Sequence, residues 1–290
     1  EIGELGDNTK HIREQVAADD LLRRVLSVPD ARTVVLGHTR WASVGIISEP
    51  NAHPVNGEEI AGGNDSVSVA VLNGDVDNHA DLKVRHNLRF ADPITTDAKV
   101  IPALVDRGRL GGASSLDAFL NAVTQFEGSV AIGYCSADEP GEMYLALNGS
   151  GQGLYVGLAE DRFIVASETY GTVEETLQYI RLDGETPLHK DQPSSRGQVV
   201  RLSQAGAGTL DGISMYAYDG TPIPLSAADV HIAEVTTRDI DRGDAPHFLL
   251  KEIREAPRSF RKTIRGRTVE NNGLLVPELD EFTLPSAIVE

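Results

Sequence analysis

The sequence predicts an α+β fold in which helices and antiparallel strands form separate layers. Helical periodicity is confined to a few segments. Between about residues 130 and 203, short β-branched or aromatic runs follow one another with Gly, Pro, Asp and Asn between them and no helix among them. The chain has 290 residues, enough for one large domain or a domain and a half.

In chain order, HIREQVAADDLLRRVLSV carries Ile12, Val16, Leu22 and Leu26 near helical spacing and reads as one amphipathic helix. Val34, Val35 and Leu36 read as a short apolar strand ending at Gly37. ISEPNAHPVNGEE turns repeatedly at Pro50, Pro54 and Gly57. A strand from Val67 to Leu72 runs into Asn73-Gly74. A helix starts near Thr96, with Val100, Ile101, Leu104 and Val105 on its apolar side and Pro102 as a kink. SSLDAFLNAVTQF is a second helix, capped by Ser115, with Leu116, Phe119, Leu120 and Val123 at i, i+3, i+4 and i+7. SVAIGYCSA, EMYLAL, GLYVGL, DRFIVASE and GQVVRLS read as strands, with a hairpin turn at Ala159-Glu160-Asp161. After about residue 220, TPIPLSAADV and TTRDIDRGDAP read as a linker. PHFLLKEIREAPRSFRKTIRGR then reads as a helix or a helix pair with Pro246 at its first position.

Composition excludes several function classes. The net charge of −18 repels phosphate backbones and anionic lipid, which argues against nucleic-acid and membrane-surface partners. No apolar run approaches the ~20 residues of a spanning helix. EIGELGDNTK lacks the basic start and apolar core of a signal peptide. The chain also lacks an initiator Met and starts as though cut from something longer. Its single cysteine, Cys135, forms no internal disulfide and suits a reducing cytosol. HExxH and paired CxxC motifs are absent, so neither a metal nor another cofactor is expected.

Taken singly, the candidate site residues each have an ordinary reading. Arg40, at the end of an apolar strand, is either a solvated cation or a fork for a carboxylate. Asn73-Gly74 reads as a tight turn, or as an oxyanion hole made by a side-chain amide and a backbone N–H. Asp97 is a first-turn acid favoured by the helix dipole, or the holder of a substrate ammonium. His38 and His53 flank Arg40, but no GxSxG elbow supplies a nucleophile for either, so packing or loop hydrogen bonding is their expected role. Cys135 lies in an apolar strand and reads as an inert small hydrophobe.

The order of the motifs adds a further reading. GHTRWAS, NAHP, LNGDVDNHADL and TTDAKVIPALV resemble the strings GHTRWAT, NAHP, HNGIIEN and SDTEV of class-II glutamine amidotransferases, in detail the glutamine–fructose-6-phosphate aminotransferase family. The likeness continues through FEGSVAIGYCSADEPGEMYLALNGSG and FIVASE into the KEIREAP helix, covering about residues 33–267. Related amidophosphoribosyltransferases carry a different arginine-strand string and lack the KEI segment.

This resemblance implies an N-terminal-nucleophile hydrolase fold, an αββα sandwich. It implies a glutaminase domain over 1–222 lacking its first strand, a linker over 223–245, and over 246–290 a helical lead-in to an absent sugar-isomerase domain. It implies that Arg40 binds the α-carboxylate of L-glutamine and that Ser43 stands where the family's threonine contacts the substrate. Trp41 shields the site, Asn73 and Gly74 form the oxyanion hole, and Asp97 holds the α-ammonium. The family nucleophile is an N-terminal cysteine whose own α-amine is the base. Ammonia released through a thioester then reaches fructose 6-phosphate in a partner half, in a cytoplasmic enzyme that is usually a homodimer. Here residue 1 is Glu, and Val44 and Leu72 stand where the family has histidines. The chain is therefore expected to be an inactive piece of an active enzyme, the alternative being a degenerate glutaminase-like binding or regulatory domain.

Overall fold

The computed structural model describes residues 7–29, 31, 33–39, 44–60, 68–234, 243–265, 268–271 and 273–277. The chain divides into two compact units, Glu1–Val235 and Thr236–Glu290. In chain order the first holds α1 (Asp7–Ala18), α2 (Asp20–Leu26), β1 (Val55–Asn56), β2 (Ser68–Gly74), α3 (His79–Arg85), α4 (Val100–Leu110) and α5 (Ser115–Val123). There follow β3 (Val130–Ser136), β4 (Glu142–Asn148), β5 (Tyr155–Leu158), β6 (Phe163–Ala166), β7 (Gln178–Arg181), β8 (Gln198–Ser203), β9 (Ile213–Ala217), β10 (Pro222–Ile223) and β11 (His231–Ile232). The second holds α6 (Phe248–Ile264) and the antiparallel pair β12 (Thr268–Asn271) and β13 (Leu274–Pro277).

Two antiparallel sheets form the centre of the first unit. The larger runs β1-β2-β3-β4-β8-β9-β10, and the smaller β11-β7-β5-β6. Side chains alternate between faces with period two, and in the larger sheet both faces are buried. Val130, Ile132 and Tyr134 of β3 join Tyr144 and Ala146 of β4 in a core with Leu82, Val105 and Phe119 of the helices. Between them, Ala131, Leu145 and Leu147 point the other way, into a second core shared with Val156 and Ile180 of the smaller sheet. This double burial is why VAIGYC and YLAL are near-continuous apolar runs.

The expected α+β class with two stacked antiparallel sheets is present, with α3, α4 and α5 as the helical layer on the larger sheet; among the described residues between β5 and β11 no α-helix forms the second outer layer of an αββα sandwich. Val156 and Ile180 face the inter-sheet core, so Gly157 and Tyr179, paired across β5 and β7, face outward. On that outer side Thr172 and Thr176 pack against Gly157, where a Cβ would meet Thr176 Cγ2 at 2.9 Å. The segment that supplies them opens on a single 3-10 turn, Thr169–Gly171. Gly171, Thr172, Val173 and Thr176 are poor helix formers, which accounts for a turn at this place.

Several local expectations are corrected. The single helix over 11–28 is two, broken at Asp19, whose carboxylate accepts from Leu22 N at 2.9 Å and caps α2. Ser114, not Ser115, caps α5, accepting from Asp117 N at 3.1 Å. Pro102 is the third residue of α4, where its missing N–H costs little, so it ends no helix. His247 caps α6, leaving Pro246 just outside it. Residues 34–36 are not a strand, because no described neighbour pairs with them: Leu36 lies against Gly133 while Val35 is 81% exposed. Within the span expected as linker, β10 ends at Ile223 and β11 pairs with β7 through His231 and Ile232, so these residues complete both sheets.

Candidate functional site

The site begins at the C-terminal end of β2. All seven residues of this strand pair with β3, from Ser68 opposite Ser136 to Gly74 opposite Val130, so its last residues are held by a complete ladder. Leu72 points into the helix-side core, and Asn73 alternates to the opposite face, where it is exposed. Gly74 has φ +116°, and a Cβ there would lie 2.0 Å from Ser129 O. Only glycine fits. Asn73-Gly74 is not the tight hairpin turn that its sequence suggests, since α3, not β3, follows it.

Beyond Gly74 the chain is laced to the 125–129 turn. Asp75 N donates to Ser129 O at 3.0 Å and Asp77 N to Glu127 O at 2.9 Å. The Asn78 amide bridges the same turns, donating to Gln125 O at 2.8 Å and accepting from Glu127 N at 3.1 Å. Gly128 answers Gly74, since a Cβ there would lie 2.3 Å from Asp75 O.

Asp97 opens a 3-10 turn, Asp97–Lys99, that leads into α4. It is 4% exposed, and its Oδ2 accepts from Val76 N at 2.7 Å, two residues beyond Gly74. Its Oδ1 lies 3.4 Å from Thr96 Oγ1, and the Ala98 N–H also bonds to the carboxylate, which as a multiple acceptor keeps capacity for a ligand. Burial raises its pKa above the ordinary carboxylate value; Val76 N–H opposes this, the Asp75 charge adds to it and His79 offsets part. Such a group favours a cationic partner that replaces lost hydration.

Asn51 and His53 complete the frame. Asn51 is fully buried; its Oδ1 accepts from Thr95 N at 2.7 Å and Thr96 N at 2.8 Å, and its Nδ2 donates to Ser48 Oγ at 2.9 Å and Pro93 O at 3.0 Å. His53 precedes a cis peptide to Pro54; its ring lies 4.7 Å from that of His38, its Nδ1 is 3.5 Å from Leu72 N and its Nε2 is 3.3 Å from Thr96 Oγ1. His53 thus packs against His38 and lies within reach of Leu72 N and Thr96 Oγ1. Lys99, also buried, donates to Asn56 O at 2.8 Å and Asn56 Oδ1 at 2.7 Å, fixing the start of β1 and β2 pairing.

Of the six predicted site residues, Asn73 and Gly74 end β2, and Asp97 accepts from Val76 N, two residues beyond Gly74. Arg40, Trp41 and Ser43 lie outside the described residues. Cys135 is half-buried on β3 with its thiol pKa raised by burial, which suits an inert side chain. Among the described residues no cluster of His, Cys, Asp and Glu could hold a metal, and no helix is long and apolar enough to cross a membrane. Asn51 is the framework residue that sequence reasoning missed, although NAHP marked the place.

No protein-family model matches the chain. Curated proteins do. The chain is 30% identical over 277 residues to the glutamine–fructose-6-phosphate aminotransferase (isomerizing) of Oceanobacillus iheyensis, covering 94% of this chain and 41% of that protein. It is 31% identical over 259 residues to the enzyme of the same name from Streptococcus mutans, covering 88% and 37%. The chain is thus similar along most of its length to part of glutamine–fructose-6-phosphate aminotransferases.

It spans about two-fifths of the length of these aminotransferases. The similarity is too long to be confined to the first compact unit and reaches into the second. A solved structure, the glutamine phosphoribosylpyrophosphate amidotransferase of B. subtilis, is similar at 22% identity with a TM-score of 0.45, covering 62% of this chain and 34% of that one.

Proposed function

We propose that this chain is the glutaminase portion of an enzyme that hydrolyses L-glutamine and delivers the ammonia to fructose 6-phosphate, giving glutamate and glucosamine 6-phosphate. The observation that carries it is the junction of Asn73-Gly74 with the buried Asp97 through Val76, in a chain similar to these aminotransferases. An amino acid substrate needs one cation, one anion and donors at its reacting carbonyl. Arg40 supplies the cation for the α-carboxylate, with the Ser43 hydroxyl beside it and Trp41 covering the site. Asp97 supplies the anion for the α-ammonium. The Asn73 Nδ2 and Gly74 N–H supply the donors.

The nucleophile in this reading is a cysteine at a mature N-terminus upstream of Glu1. Cys135 cannot replace it, being internal, without a free α-amine, and with its thiol pKa raised. The thiolate attacks the side-chain amide carbon, and the oxyanion forms between Asn73 and Gly74. Collapse breaks the C–N bond, the leaving nitrogen takes a proton from the cysteine α-ammonium, and ammonia departs. Water then cleaves the thioester to glutamate. In the same proposal the glutaminase domain extends past residue 222 to include β10 and β11, and the segment from 246 to 290 is the lead-in to a sugar-isomerase half. The whole protein is a cytoplasmic homodimer.

Sequencing the coding region upstream of Glu1, then assaying its full product for glutamate release from glutamine, tests the proposal. A Met-Cys start with glutamate release is expected. No such start, with no release, leaves a glutamine-binding or regulatory domain in place of the enzyme.

A further inference from the structure

The segment that directly follows Ser43 rests on the loop residues that lead to Asp97. Gly45 has φ +83° and lies so close to Thr95 and Thr96 that a Cβ would sit 2.9 Å from Thr95 Oγ1 and 3.1 Å from Thr96 N. Ile46 N reaches Thr95 Oγ1 at 3.4 Å. Thr95 and Thr96 are in turn held from behind by one side chain, Asn51, which takes both of their amide hydrogens on its Oδ1. The other end of that amide is tied to Ser48 and Pro93, one partner on each side of the junction.

One planar amide therefore sets where residues 44–46 stand relative to residues 95–97. On the glutamine reading above, the first of these follows the residues for the α-carboxylate and the second contains the anchor for the α-ammonium. We infer that Asn51 is a positioning residue for substrate: it fixes the spacing between the carboxylate-binding segment and Asp97 without touching glutamine itself. The inference rests on that reading of the pocket.

Its consequence differs from a plain loss of stability. A ligand that engages both α-groups depends on the spacing, whereas a ligand that engages the carboxylate side alone does not. Glutarate is L-glutamate without the α-amine, so the pair separates the two cases.

The test uses the protein expressed from its complete coding region. In Asn51→Ala, the KM for L-glutamine and the Ki of L-glutamate rise about tenfold, while kcat and the Ki of glutarate stay within about threefold. Asn51→Asp keeps an acceptor for both amides but loses the donors to Ser48 and Pro93, so it returns the glutamate-to-glutarate Ki ratio part of the way from the Ala variant toward the parent. Where Asn51→Ala does not fold, Asn51→Ser, too short to span both amides, is read in the same way. An unchanged Ki ratio in the Ala or Ser variant overturns the inference, as does an equal rise for both inhibitors. A parent protein that releases no glutamate from glutamine sinks the amidotransferase reading, and the inference with it; a parent that does, beside variants with unchanged ratios, sinks the inference alone.

Discussion

Asp97→Asn isolates the charge proposed to hold the glutamine α-ammonium. The substitution keeps a side-chain oxygen for Val76 N–H, now 2.7 Å from Oδ2, and removes only the negative charge. A hydrogen bond to a charged group contributes about 1.5–3 kcal/mol. At about 1.4 kcal/mol per decade, the KM for glutamine rises roughly 10- to 150-fold. Stability moves the other way. Burial raises the Asp97 pKa, so the folded protein holds this proton more tightly than the unfolded chain does. The free protein therefore gains stability as pH falls from the raised folded value toward the ordinary carboxylate value of 3.8, and the ionised carboxylate costs stability above that window. Asp97→Asn abolishes that slope and melts at the same temperature as the parent or higher at pH 7. In the parent, KM climbs on acidification at a higher pH than an exposed carboxylate would give, and the Asn variant lacks that limb. The measurement is glutamate release against glutamine concentration from pH 4 to 8, with a thermal melt at each pH. A KM for Asp97→Asn within twofold of the parent refutes the assignment of Asp97 to the ammonium.

Asn73 is exposed at the end of β2, so Asn73→Ala leaves a urea midpoint nearly unchanged, within about 0.5 kcal/mol, while kcat falls about 10²- to 10³-fold if its amide faces the oxyanion. Gly74→Ala places a Cβ 2.0 Å from Ser129 O at φ +116°, and destabilises by ~3 kcal/mol or more in the same urea melt. The buried Tyr134 phenol has its pKa pushed up to about 12, mainly by burial and then by the Asp106 charge. Its folded pKa exceeds the unfolded 10.0, so this contribution is intact below pH 10 and lost as pH rises through the folded value; Tyr134→Phe flattens the alkaline decline of Tm in that range.

The buried strands were legible because β3 and β4 are apolar on both faces, which gives unbroken runs in the sequence. The helix α3 was not, since Leu82 alone is buried in HADLKVR and Val84 is 81% exposed, leaving no period to read. The 33–39 segment shows the converse: an apolar run predicts extended chain, but a strand also requires a hydrogen-bonded neighbour. At the site, Asn73, Gly74 and Asp97 each had an ordinary local explanation, and only their order along the chain set them apart. Asn51 stayed hidden for a physical reason. Its work is done on main-chain amides 44 and 45 residues away, and a side chain that binds backbone leaves no complementary residue type to recognise.

The facing glycines at 74 and 128 have a consequence for how this corner of the fold could be inherited or transplanted. Each glycine leaves room for the other loop's carbonyl, Ser129 O in one case and Asp75 O in the other. Neither loop can acquire a side chain there, lengthen, or shift register while its neighbour stays as it is. The heritable unit is thus the pair of loops, LNGD together with FEGS, and grafting the first into a foreign scaffold without the second would leave the donor amides aimed at nothing.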